Sequence, residues 1–73
     1  MKQRSIRLGI IGAGGIASRR VLPALAGSRL CRVVAVMDPL GAAAVAARFG
    51  VPRWYEREEE LLADPEVEAV YIA

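Results

Sequence analysis

The sequence has no histidine and only one cysteine. Without histidine it lacks the commonest transition-metal ligand, so a metal site is not expected. Cys31 has no partner for an internal bridge, and its apolar neighbours in LCRVVAV mark an ordinary buried thiol of a reducing compartment. Long hydrophobic runs are missing too: none approaches the roughly 20 residues that span a bilayer, which excludes a membrane helix. Basic residues are present, ten against eight acidic, but the arginines from Arg4 to Arg57 are scattered between apolar positions. Nucleic-acid binding would need them gathered on one face. No internal repeat, low-complexity tract or linker interrupts the chain.

What is there fits one small domain at most, because 73 residues bury a modest core. The opening MKQRSIR followed by LGIIGAGGIA has the basic-then-apolar order of a secretion signal. The three clustered glycines Gly12, Gly14 and Gly15, however, would cost roughly 1 kcal/mol each in the helix that such a signal core adopts. A cytoplasmic protein is therefore the default expectation.

IRLGII (Ile6–Ile11) is a short apolar run closed by glycine, the pattern of a strand buried on both faces. From Gly15 to about Ala26, Ile16, Val21, Leu22, Leu25 and Ala26 recur at helical spacing, and Gly27 supplies a stop. Pro23 should bend this helix by removing a backbone bond to Arg19. CRVVAVMD (Cys31–Asp38) predicts a second buried strand, and PLGAAAVAARFG (Pro39–Gly50) a short helix with Pro39 near its first turn. VPRWY (Val51–Tyr55) predicts a brief strand that Pro52 restricts to an edge. EREEELLAD (Glu56–Asp64) predicts a helix with its acids in the first turn; the acidic run is a solvated helix face in preference to a cation patch. Asp64-Pro65 breaks it, and VEAVYIA (Val67–Ala73) begins another strand. Strands alternating with helices imply parallel pairing, hence an α/β Rossmann-type sheet with helices on both faces, of which the first half is present.

Between the first strand and the first helix stands Gly12-Ala13-Gly14-Gly15-Ile16-Ala17, which fits the dinucleotide-binding pattern G-x-G-x-x-G/A. Gly12 would allow the tight turn, Gly14 would let a pyrophosphate approach the backbone, and Ala17 would keep the helix near the sheet. Amides around Gly15 and Ile16, at the positive end of the helix, would face the phosphates. Asp38, at the end of the second strand some 20 residues beyond the motif, is placed to accept both hydroxyls of an adenosine ribose and to repel a 2′-phosphate. NAD is thus favoured over NADP, with Arg19 and Arg20 left as alternative partners for such a phosphate. The bland alternatives are a plain strand-to-helix turn for the glycines and a turn or cap residue for Asp38.

RLGIIGAGGIASRRVLPALAG, RVVAVMDP, AARFGVP and YEREEELLADPEVEAVYIA together resemble the N-terminal nucleotide-binding domain of the glucose–fructose oxidoreductase/inositol dehydrogenase (Gfo/Idh/MocA) family, over nearly the whole chain. The resemblance implies an NAD(P)-dependent oxidoreductase that moves a hydride to or from a hydroxyl carbon of a sugar, cyclitol or related small molecule. It also implies that residues 1–73 are a partial domain, with the C-terminal substrate domain absent. The family's catalytic lysine lies in a Glu-Lys-Pro motif that this chain does not contain, and Lys2 is its only lysine. The family's catalytic roles therefore map onto no residue here, and the chain by itself is expected to be inactive. A second expectation is that the open sheet edge and apolar faces drive assembly into a homo-oligomer; a bare nucleotide-binding piece without hydride chemistry is a third.

Overall fold

The computed structural model describes residues 5–15 and 17–73. Its elements are β1 (Ile6–Ile11), a π-type turn (Ala17–Val21) running into α1 (Leu22–Ala26), β2 (Cys31–Met37), α2 (Ala42–Phe49), β3 (Arg53–Tyr55), α3 (Glu58–Leu62) and β4 (Ala69–Ile72). The four strands form one parallel sheet in the order β3-β2-β1-β4. The chain steps outward from β1 to β3 and then returns across the sheet to place β4 on the other side of β1. Short edge strand β3 follows Pro52 directly, as expected of a proline that cannot donate to a ladder.

β1 and β2 are apolar because both faces of the sheet are covered. On one face Leu8, Ile10 and Val36 pack with Leu22 of α1, Ala46 of α2 and Val51. On the other, Val34, Ala35 and Met37 pack with Leu61 of α3. Two consecutive residues of β2 share that second face because the register slips: Leu8 pairs with Val33 but Gly9 with Ala35, leaving Val34 as an extra residue in β2. The same face depends on Gly9. A Cβ there would lie 2.9 Å from Leu61 Cδ2 and 3.1 Å from Val67 Cγ1, so glycine lets α3 settle onto the sheet.

Three expected boundaries shift. The predicted helix from Gly15 to Ala26 is divided, with the wide π-type turn first and α-helix from Leu22. Pro23 is the second residue of α1 and has no N–H for the Arg19 carbonyl, so the change of winding precedes it in place of a bend within one helix. Helix α2 begins at Ala42, not beside Pro39, because the Asp38 side chain folds Asp38–Gly41 into a turn. Helix α3 is only five residues, Glu58–Leu62, with Glu58, Glu59 and Glu60 in its first turn and Leu61 fully buried. No helix among the described residues is long and apolar enough to cross a membrane. Cys31 is a free, half-buried thiol packed against the first cluster.

Candidate functional site

The sheet order decides where a ligand could sit. The strand order reverses at β1, with β2 and β3 laid down on one side and β4, reached from β3 through α3, on the other, and open α/β sheets bind ligands at such a switch point, beyond the carboxyl ends of the strands. The glycine loop occupies that position. The amides of Gly12 and Ala13 both donate to the Met37 carbonyl at 2.9 Å, which bends the chain off β1 and over the end of β2. Gly12 (φ +79°) and Gly15 (φ +63°) take left-handed backbone conformations that a side chain would strain. Ala13 is fully buried under the loop. From the other side, Ala73 donates to the Ile11 carbonyl at 3.0 Å, and its own carbonyl comes within 3.6 Å of where a Gly12 Cβ would be. Residues 12–15 and the end of β4 thus border the position, beyond the carboxyl ends of the strands, where the ligand crevice lies in open α/β sheets.

Asp38 stands beside this loop and is tied to it. Gly14 N–H donates to Oδ1 at 3.2 Å, while the amides of Leu40 and Gly41 donate to Oδ2 at 3.0 and 2.8 Å. The Leu40 and Gly41 amides hold the Asp38 carboxyl below the usual carboxylate range; partial burial works against them, and Gly14 adds to the lowering. The glycine pattern predicts that Gly14 is there for pyrophosphate approach. In the structure the missing Cβ leaves room for Asp38: it would lie 2.9 Å from Oδ1. The space beside Gly15 is the open one, with nothing among the described residues within 4 Å of its Cβ position. Asp38 therefore joins the two readings left open for it, being a turn residue through Oδ2 and a neighbour of the glycine loop through Oδ1.

Of the residues singled out from sequence, Gly12, Ala13, Gly14, Gly15 and Asp38 come together here. Ile16 and Lys2 lie outside the described residues, as does the packing expected of the Ala17 side chain. Arg19 and Arg20 belong to the π-type turn and are exposed. Among the described residues, no group of three His, Cys, Asp or Glu is placed to hold a metal ion. Two surface recesses of about 340 and 370 Å³ lie at the opposite end of the sheet, against Cys31 and Phe49 in one and Arg32 and Pro52 in the other. They take no part in the glycine-loop crevice.

One polar cluster escaped sequence reading. Asp64, read only as a helix stop, has a side chain 1% exposed. It accepts from Arg53 Nη1 at 2.7 Å, the Tyr55 hydroxyl at 2.7 Å and the Glu66 amide at 2.8 Å. Burial pushes its carboxyl up, but the Glu66 amide, the Tyr55 hydroxyl and the Arg53 guanidinium together leave it below the ordinary value. The hydrogen bond to Asp64 in turn raises the Tyr55 phenol, and burial adds to the rise. This cluster joins β3 to the segment leading into β4 and so braces the sheet that carries the crevice.

A parallel sheet ordered β3-β2-β1-β4, covered on both faces, with a glycine loop after β1 and an acid after β2, defines the first half of a Rossmann-type nucleotide-binding domain. Residues 6–73 match the model of the oxidoreductase family with an NAD-binding Rossmann fold, Gfo/Idh/MocA, and the chain belongs to that family. An oxidoreductase of Rhizobium meliloti is 46% identical over 69 residues, which are 92% of this chain and 21% of the relative. Among solved structures, a 3-ketoreductase from Actinomadura kijaniata in complex with TDP-benzene and NADP superposes with a TM-score of 0.86 at 38% identity, covering 94% of this chain and 22% of the other. The myo-inositol dehydrogenase from Lactobacillus casei, in complex with NAD(H) and myo-inositol, gives a TM-score of 0.84 at 27% identity, covering 96% and 22%. The chain thus spans about a fifth of the length of the relatives it matches.

Proposed function

We propose that residues 1–73 are the cofactor-binding portion, a partial dinucleotide-binding domain, of an NAD(P)-dependent oxidoreductase whose substrate domain lies in another part of a longer protein. The observation that carries the proposal is the glycine loop at the switch point, with its turn fixed on the Met37 carbonyl and with Gly12 and Gly15 in left-handed backbone conformations. The loop Gly12-Ala13-Gly14-Gly15-Ile16 would border the pyrophosphate, shaped by the Gly12 and Ala13 amides on Met37 and the Gly14 amide on Asp38, and Asp38 would take the adenosine ribose. Support for such a group comes from Gly15, whose left-handed backbone favours glycine and so keeps a side chain off the loop where a phosphate would approach.

When bound, the nicotinamide cofactor supplies hydride transfer to or from a hydroxyl carbon, here of a sugar, cyclitol or related small molecule. The residues of this chain bind and orient; the proton-transfer group comes from outside these 73 residues, so the chain alone is inactive. NAD is the favoured cofactor. Asp38 stays ionised at neutral pH under its backbone donors, and a fixed negative charge opposes a 2′-phosphate. Calorimetric titration with NAD and NADP tests this. Binding with NAD preferred is the expected result; equal affinity would remove the ribose-reading role of Asp38, and no binding of either would overturn the site.

A second reading has its own observation. β4 is an edge strand among the described residues, and Tyr71 and Ile72 on it are 43% and 74% exposed. Pairing of this edge with a second copy would cover them and give a homo-oligomer. Light scattering of the purified chain is the check, and a stable monomer would rule the reading out.

A further inference from the structure

Asp38 does more in this structure than wait for a ribose. An ionised carboxylate offers about four acceptor positions, two on each oxygen. Oδ2 uses both of its own on the Leu40 and Gly41 amides, and Oδ1 uses one on Gly14. We infer that Asp38 is a positioning residue that clamps the glycine loop to the turn after β2, and that it has one acceptor position left, enough for one ligand hydroxyl and not two. The ligand half of the inference rests on the proposed dinucleotide site, whereas the clamp does not. The geometry around Gly14 supports the clamp independently of the hydrogen bonds, since a Cβ at that position would meet Oδ1 at 2.9 Å and Cγ at 3.3 Å. The loop amide, the missing side chain and the carboxylate are fitted to one another. The expectation from sequence that both ribose hydroxyls reach Asp38 would require the Asp38–Gly41 turn to open.

Amide hydrogen exchange on the ligand-free chain tests the clamp. In the unsubstituted chain, Gly14 should exchange at least about tenfold more slowly than an unprotected amide; exchange at the unprotected rate overturns the inference without any variant. In Asp38→Ala, the Gly14, Leu40 and Gly41 amides should exchange about tenfold faster or more, while Gly12 and Ala13, held by the Met37 carbonyl, stay as they were. Unchanged protection at Gly14 overturns the clamp, and so does equal acceleration at Gly12 and Ala13, which would mean general loosening. Asp38→Asn, isosteric but with one acceptor oxygen, should release at least one side; full protection of all three amides would refute the carboxylate's role. The ligand half is tested with NAD analogues lacking the 2′- or the 3′-hydroxyl of the adenosine ribose. Only one deletion should cost affinity in a way that disappears in Asp38→Ala, by about tenfold. If both losses disappear, or neither does, the single free acceptor is refuted. Failure to bind NAD at all would refute the proposed function while the exchange result for the clamp stands.

Discussion

Replacing Asp64 probes how the short helix α3 and the approach to β4 are anchored. Its carboxylate, 1% exposed, takes three hydrogen bonds. The Arg53 side chain is 43% exposed, so water readily takes over its charge and the ion pair adds at most about 1 kcal/mol. The Glu66 amide and Tyr55 hydroxyl lose a charged acceptor, about 1.5 kcal/mol each. Asp64→Ala should therefore destabilise by about 3–4 kcal/mol, comparable with the whole stability of a domain this small. Asp64→Asn keeps the shape and an acceptor for Glu66 but loses the charge. About 1–2 kcal/mol is expected, a fall in Tm of about 4–16 °C. The sign of the pH dependence follows from a carboxyl lowered from 3.8 by folding: its contribution is complete above 3.8 and is lost as pH falls through the lower folded value. The stability gap between the unsubstituted chain and Asp64→Asn should accordingly narrow in acid. Urea unfolding followed by circular dichroism and Trp54 fluorescence, from neutral pH to below 3.8, measures it. An Asp64→Ala midpoint equal to that of the unsubstituted chain, or a gap constant with pH, would refute the reasoning.

Leu61→Ala should cost about 2–5 kcal/mol in the same unfolding assay, because Leu61 is fully buried and is the main anchor of α3 on the sheet. Gly14→Ala should lower dinucleotide affinity about tenfold or more by calorimetry, since the new Cβ would displace Asp38 Oδ1 from 2.9 Å. Tyr55 is raised from 10.0, so its stabilising hydrogen bond to Asp64 is present below that pH and lost as pH rises through the higher folded value. Alkaline unfolding of Tyr55→Phe should show a shallower pH dependence than that of the unsubstituted chain, and identical profiles would count against the Tyr55–Asp64 bond.

How much was legible in the sequence depended on range. β1 was bounded correctly at Ile6–Ile11 because a strand buried on both faces writes its environment into every side chain. The glycine loop and Asp38 were found because the spacing of turn and strand brings them together with little help from the rest of the chain. The reason for Gly14 was not legible, since the direction of an absent Cβ emerges only once β2 delivers Asp38 beside it. Likewise Gly9 looked like one small member of an apolar run, and only the packing of Leu61 and Val67 shows what it makes room for. Asp64 gave no signal beyond its proline neighbour. Its partners Arg53 and Tyr55 lie 11 and 9 residues back and meet it only after α3 has folded over the sheet. The division of the first helix and the late start of α2 have a shared cause: proline and aspartate reorganise the backbone locally in ways that apolar spacing does not record.

The placement of β1 between β2 and β4 has a consequence for the order in which the two walls beside the glycine loop can form during folding. The contacts that shape the glycine loop, from the Met37 carbonyl to the Asp38 carboxylate with its Leu40 and Gly41 donors, lie between Gly12 and Gly41 in sequence. The opposite wall waits for Ala73, which reaches Ile11 across 62 positions of chain. The first wall needs only contacts that are short in sequence, and the second closes a far longer loop, the slower kind of step. A folding chain would thus hold a shaped glycine loop before the wall from Ala73 joins it.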